Sequence, residues 1–234
     1  MTESRVALVT AASRGMGAAC ARRLAADGYR LALMSRTDEV RALADELGAI
    51  GITGDVSNAD DLAAFVDAAL AAYGRIDAAV CNTGHPPKAD LLAITDDDWH
   101  AGVDLALLNT VRLARLVTPV MERQGGGAIV NVSTFGAIEP SLGFPVSSAI
   151  RAALGAFVKL YAERYGASGI RMNSVLPGFV ETYPVDDATR ARIPAGRLGS
   201  VAEVAATVAF LLSDGGAYVT GQSIRVDGGL TRSI

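Results

Sequence analysis

Residues 5–25, RVALVTAASRGMGAACARRLA, decide the fold. The apolar run at 5–11 reads as a buried strand. It enters a turn holding Gly15 and Gly17, after which apolar residues at three- and four-residue spacing predict a helix over 16–27. A strand that passes through a glycine turn into a helix aims the first helical amides at the turn. Glycine lets an anionic group approach that backbone closely. Thr10, Ser13, Arg14, Gly15, Met16 and Gly17 are therefore candidate residues for cradling a phosphate.

The same alternation runs through the rest of the chain. Apolar runs at 30–35, 50–55, 76–82, 127–133, 170–176 and 222–228 predict further strands, and helical spacing covers 37–47, 59–73, about 97–122, 146–166 and 201–212. Strands apolar nearly throughout, separated by helices, indicate a parallel sheet covered on both faces. The expected fold is α/β: a Rossmann-type, doubly wound, mainly parallel seven-stranded sheet. No Pro/Ser/Gly linker interrupts residues 1–234, so one domain is expected. Two stretches break the rhythm, HPPKAD at 85–90 and the longer irregular piece at 178–199. Both follow strand ends, where open α/β sheets bind ligands.

Composition narrows the function. The 234 residues carry a net charge of −4, so no basic face for nucleic acid or a membrane surface is expected. No run of about 18 apolar residues appears, nor a secretory signal, and the expected compartment is the cytoplasm. The two cysteines, Cys20 and Cys81, lie in apolar runs and are expected as buried free thiols. With two histidines, His85 and His100, no metal site is expected.

The second predicted strand ends in LALMSRT. NAD-binding folds usually place a carboxylate there for the ribose 2′-hydroxyl, but Ser35 holds the position and Arg36 follows. Arg36 and Arg14 suit a 2′-phosphate, so NADP(H) is expected over NAD(H).

Over essentially its whole length the chain resembles the short-chain dehydrogenase/reductase family, in its ketoreductase branch. TAASRGMG matches the family's glycine motif, with Ala11 where the first glycine usually sits; ordinary dihedrals there would make the methyl a small penalty. The resemblance implies that Asp55 and Val56 frame the adenine. It also implies that Asn82 and Gly84 belong to the family's segment at the end of the run at 76–82, and that Pro177, Gly178 and Thr182 lie against the nicotinamide. YVTGQSIRVDGG at 218–229 resembles the family's closing strand.

The family's catalytic set is Asn, Ser, Tyr and Lys, and here the match breaks. The asparagine position falls on Ala106, with Asn109 three residues on. The serine position falls on Thr134, just after Ser133. The tyrosine position is Ser147 and the lysine position Arg151; moving the register by one residue restores neither. A phenol titrates near 10 and a nearby cation lowers it, whereas an alkyl hydroxyl starts several units higher. Arginine holds a ribose hydroxyl but does not exchange protons.

Three readings follow. The chain is an NADP(H)-dependent oxidoreductase acting on a small carbonyl or alcohol substrate, with Arg151 at the ribose and Thr134 and Ser147 as hydrogen-bond donors. Tyr183, His85 or a held water then supplies the proton. Alternatively it binds the dinucleotide without turnover, in an assembly or regulatory role. Arg151 also resembles the arginine of haloalcohol dehalogenases of this fold, which lack this nucleotide motif. Tyr161 and Tyr165, three turns down the helix, are expected to pack or to lie at an interface. Asp186, Asp187, Arg190 and Arg192 in the short lid (about 179–199) are expected to be solvated. The apolar helices at about 97–122 and 146–166 predict a homodimer or homotetramer.

Overall fold

The structure is a computed structural model that describes residues 4–234. Seven strands, β1 (Val6–Thr10), β2 (Arg30–Ser35), β3 (Ile50–Thr53), β4 (Ala78–Cys81), β5 (Gly127–Val132), β6 (Ile170–Pro177) and β7 (Ser223–Val226), form one sheet. Their order is β3-β2-β1-β4-β5-β6-β7, with every neighbouring pair parallel. The chain starts near the centre, winds out to β3, crosses back to β4 and winds the other way. The crevice between the ends of β1 and β4 is therefore the switch point at which this architecture binds ligands.

Each strand's two side-chain rows enter different layers. Ala7 and Val9 of β1 join a core with α1 (Gly15–Ala26), α2 (Glu39–Leu47) and α8 (Val201–Leu212). Leu8 points the other way, into a core with α3 (Ala59–Tyr73), α5 (Asn109–Gln124) and α6 (Pro145–Tyr165). With both faces covered, a continuous apolar run is what a strand needs, which is why the seven runs were readable. Helix starts are locally encoded: Asn58 caps α3, and Ser200 with Glu203 forms a capping box on α8.

Two expectations need correction. The helix read at about 97–122 is three pieces: α4 (Asp96–Val103), a π-helical turn (Asp104–Leu108) and α5. One extra residue per turn shifts the register without interrupting the apolar pattern, so spacing alone does not reveal it. Arg112 clamps the bulge, donating to Asp104 Oδ1 (2.6 Å) and to the Ser57 carbonyl (2.8 Å). The stretch at 178–199 is not wholly irregular, since it holds the short helix α7 (Asp187–Ala191) and a bridge between Val180 and Gly199. Asp186, Asp187, Arg190 and Arg192 are exposed there, as expected.

Cys20 and Cys81 are buried and free, and lost hydration pushes both thiols up to about 12. Among the described residues no helix is long and apolar enough to cross a membrane.

Candidate active site

The glycine turn is tied to its neighbouring strand by one residue. Thr10 Oγ1 donates to the Asn82 carbonyl (2.7 Å) and accepts from the Asn82 amide (3.0 Å); Asn82 Nδ2 donates to the Ala11 carbonyl (3.1 Å). Gly17 packs against that carbonyl, because a Cβ placed on it would lie 2.2 Å from Ala11 O. Arg14 makes no side-chain cap and the first turn of α1 has no acidic residue, so the amides there face the groove without a competing anion.

Ala11 does not have ordinary dihedrals. Its φ is 46°, and it is the one non-glycine residue with positive φ among those described. An L-residue pays about 1–2 kcal/mol for that conformation. Ala11→Gly is therefore expected to stabilise the fold by about 1 kcal/mol and raise Tm by about 2–4 °C. A thermal melt checks this; an unchanged or lower Tm would contradict strain at this residue.

Ser35 is buried and hydrogen-bonds Ser13 through its hydroxyl (2.9 Å), so it does not stand free as a ribose ligand. Arg36 reaches over the crevice: one guanidinium nitrogen lies 3.8 Å from where a Gly84 Cβ would sit. Asp55 accepts from the Ser57 amide (2.8 Å) beside buried Val56. An uncapped helix start, close-packed glycines and an unopposed arginine at the end of β2 fit a phosphorylated dinucleotide.

Beyond the ends of β4, β5 and β6 lies a cavity of about 260 Å³. Met16, Asn82, Gly84, Pro177, Gly178 and Thr182 are among the residues that line it. Ser13, Arg14 and Gly15 line a second groove, and Thr182 borders both. Thr134, Ser147 and Arg151 line the cavity as well. Thr134 follows β5 in extended backbone and accepts from the Gly136 amide (3.4 Å). Ser147 lies in the first turn of α6, with Arg151 one turn on. Ser148 is buried and accepts from the Ser141 amide (3.3 Å), so the neighbouring serine is pinned away from this wall.

Arg151 is 6% exposed and its Nη1 donates to the Val132 carbonyl (2.9 Å). Burial pushes the guanidinium down to about 10, which still leaves it charged near neutral pH. Tyr161 turns into the core, its hydroxyl against Thr118, and burial raises it to about 12. Ala106 is buried at the π turn. Asn109, also buried, starts α5; it is not among the cavity residues, and no described residue pairs with its Oδ1.

The two loops meet across the cavity mouth. His85 and Tyr183 stack edge to face at 5.8 Å, and Lys88 Nζ lies 3.5 Å from the Tyr183 hydroxyl. Lost hydration on partial burial, then the charges of Arg151 and Lys88, lower the His85 pKa below its usual 6.5. Lys88 and the aromatic residues Phe135, Phe144 and Phe179 went unremarked in the sequence. Lys88 lay within the flagged loop HPPKAD, and the three phenylalanines adjoin recognised motif positions.

Comparison with known proteins accords with this geometry. A family model described as enoyl-(acyl carrier protein) reductase matches residues 10–231. The 3-oxoacyl-[acyl-carrier-protein] reductase of Synechocystis sp. is 34% identical over 239 residues, covering 97% of each chain. The Escherichia coli 3-oxoacyl-[acyl-carrier-protein] reductase FabG is 33% identical over 242 residues, covering 97% of this chain and 98% of its own. A monensin polyketide synthase putative ketoacyl reductase of Streptomyces virginiae is 37% identical over 255 residues, with 97% of each chain covered.

Proposed function

Because the chain belongs to the short-chain dehydrogenase/reductase family of dinucleotide-dependent oxidoreductases, we propose that it is an NADP(H)-dependent carbonyl reductase whose proton comes from Tyr183. The observation that carries this reading is the placement of Tyr183 on the same cavity as Thr134, Ser147 and Arg151. When bound, the nicotinamide supplies the hydride. Gly15, Met16 and Gly17 hold the pyrophosphate at the start of α1, and Arg14 and Arg36 meet the 2′-phosphate. Asp55 and Val56 frame the adenine, while Pro177, Gly178 and Thr182 orient the carboxamide. Asn82 and Gly84 keep the crevice floor close.

Thr134 and Ser147 donate hydrogen bonds to the substrate oxygen, which stabilises the negative charge that builds there. Arg151 holds the ribose and adds positive charge, but does not give up a proton at neutral pH. His85 is the weaker donor candidate, because burial and the charges of Arg151 and Lys88 disfavour its protonated form. The Tyr183 hydroxyl gives its proton where a cation stabilises the phenolate left behind. Lys88, 3.5 Å away, carries the charge to do that. We also assign a homo-oligomer, with Leu160 of α6, 65% exposed, on the face offered to a second copy.

The test is reduction of a ketone panel by NADPH with the wild-type chain and two variants. Tyr183→Phe is expected to lower kcat by about 10²-fold or more with little change in coenzyme affinity, and His85→Gln by much less. Coenzyme binding without turnover of any carbonyl, unchanged by Tyr183→Phe, would instead favour the non-catalytic binder.

A further inference from the structure

The cavity wall has a composition that proton transfer does not require. Its rings form a connected series: Phe144 to Phe135 at 5.6 Å, Phe135 to Phe179 at 5.4 Å, Phe179 to Tyr183 at 6.5 Å and Tyr183 to His85 at 5.8 Å. Phe135 meets Phe144 and Phe179 edge to face, so the three rings pack on one another and give the cavity an aromatic wall against which a flat guest can lie. All five residues line the cavity.

The charges are as one-sided as the rings. Lys88 and Arg151 both line this cavity, and none of the described residues lining it is Asp or Glu. Arg151 is buried with a neutral carbonyl as its hydrogen-bond acceptor, and neither cation has a salt-bridge partner among the described ion pairs. A buried cation without a counter-ion is costly, and the cost falls when an anion enters. The coenzyme's 2′-phosphate does not fill this need, because Arg14 and Arg36, which suit it, are not among the residues that line the cavity.

We infer that the substrate is a planar aromatic carbonyl compound bearing an acidic group, its ring held against Phe135, Phe144 and Phe179 and its anion beside Lys88, in the field of Arg151. This deepens the carbonyl-reductase reading and rests on it for the role of the ligand, yet it concerns binding and is measured without turnover. A chain that binds the aromatic anion but reduces no ketone would overturn the catalytic reading and leave this one standing.

Calorimetry with three probes separates shape from charge, on the full chain with and without NADPH. Naphthalene-2-carboxylate is expected to bind about tenfold or more tightly than naphthalene-2-carboxamide, which has the same shape without charge. It should exceed decanoate, which has the charge without the ring, by a similar factor. Lys88→Met, at an exposed site, should erase most of the carboxylate-over-carboxamide preference. Phe144→Leu should erase most of the preference over decanoate, with a melt checking that each variant is folded. Equal affinity for the carboxylate and the carboxamide, decanoate binding as tightly as the aromatic acid, or a preference untouched by Lys88→Met in a folded protein would overturn the inference.

Discussion

In a Tyr183→Phe background, Ser147→Tyr combined with Arg151→Lys is expected to raise kcat/KM for simple ketones by about 10²-fold or more. General acid–base catalysis contributes about 10²–10⁴-fold, and the native pair supplies little of it. An alkyl hydroxyl at 147 is too weak an acid, and the guanidinium at 151 stays protonated. The double change places a phenol on the cavity wall where Ser147 now stands, with an ammonium one helical turn below. Ser147→Tyr alone should give part of the gain, since Arg151 already supplies positive charge; Arg151→Lys alone should give almost none. Lysine is too short to reproduce the bond to the Val132 carbonyl, so a loss of about 1 kcal/mol of stability is expected. Steady-state kinetics with a melt on each variant decides the matter. A folded, coenzyme-binding variant carrying all three changes that turns over no faster than Tyr183→Phe alone would mean that proton supply is not what limits this site.

Gly17→Ala is expected to weaken coenzyme binding by more than 100-fold and to destabilise the fold by about 1–3 kcal/mol or more. The new methyl would lie 2.2 Å from the Ala11 carbonyl oxygen and 2.8 Å from Asn82 Nδ2. The first is backbone and the second belongs to the residue that locks β1 to β4, so neither can yield without opening the turn. Gly166→Ala is the matching control. Its added Cβ meets nothing within 4 Å and its φ of −58° is ordinary, so a change within about 0.5 kcal/mol is expected. Melts and coenzyme titrations read both effects. Normal coenzyme affinity in Gly17→Ala would show that the turn does not hold the pyrophosphate.

What the chain reveals before folding follows from range. A strand buried on both faces announces itself by a local run such as VALVT at 6–10, and the glycine turn and helix caps are equally local, so the sheet and the turn into α1 were legible. The left-handed backbone at Ala11 was not, because alanine gives no sign of the φ that its glycine-like position imposes. Nor was the π turn at Asp104–Leu108, which Arg112 holds through Ser57, a residue far away in the chain. Arg151 was placed by spacing alone, whereas its burial and its bond to Val132 depend on β5 meeting α6. Lys88 stayed hidden for the same reason: its contact with Tyr183 joins residues 95 positions apart.

A phosphorylated dinucleotide is expected to bind this crevice although α6 carries neither the usual phenol nor the usual amine. Calorimetric titration of the chain with NADPH and with NADH tests it most directly, with Arg36→Ala beside the wild type. Saturable binding is expected, tighter for NADPH, with the preference reduced about tenfold or more in Arg36→Ala. No binding heat from either coenzyme at several temperatures would contradict it, and the redox assignment would fall with it.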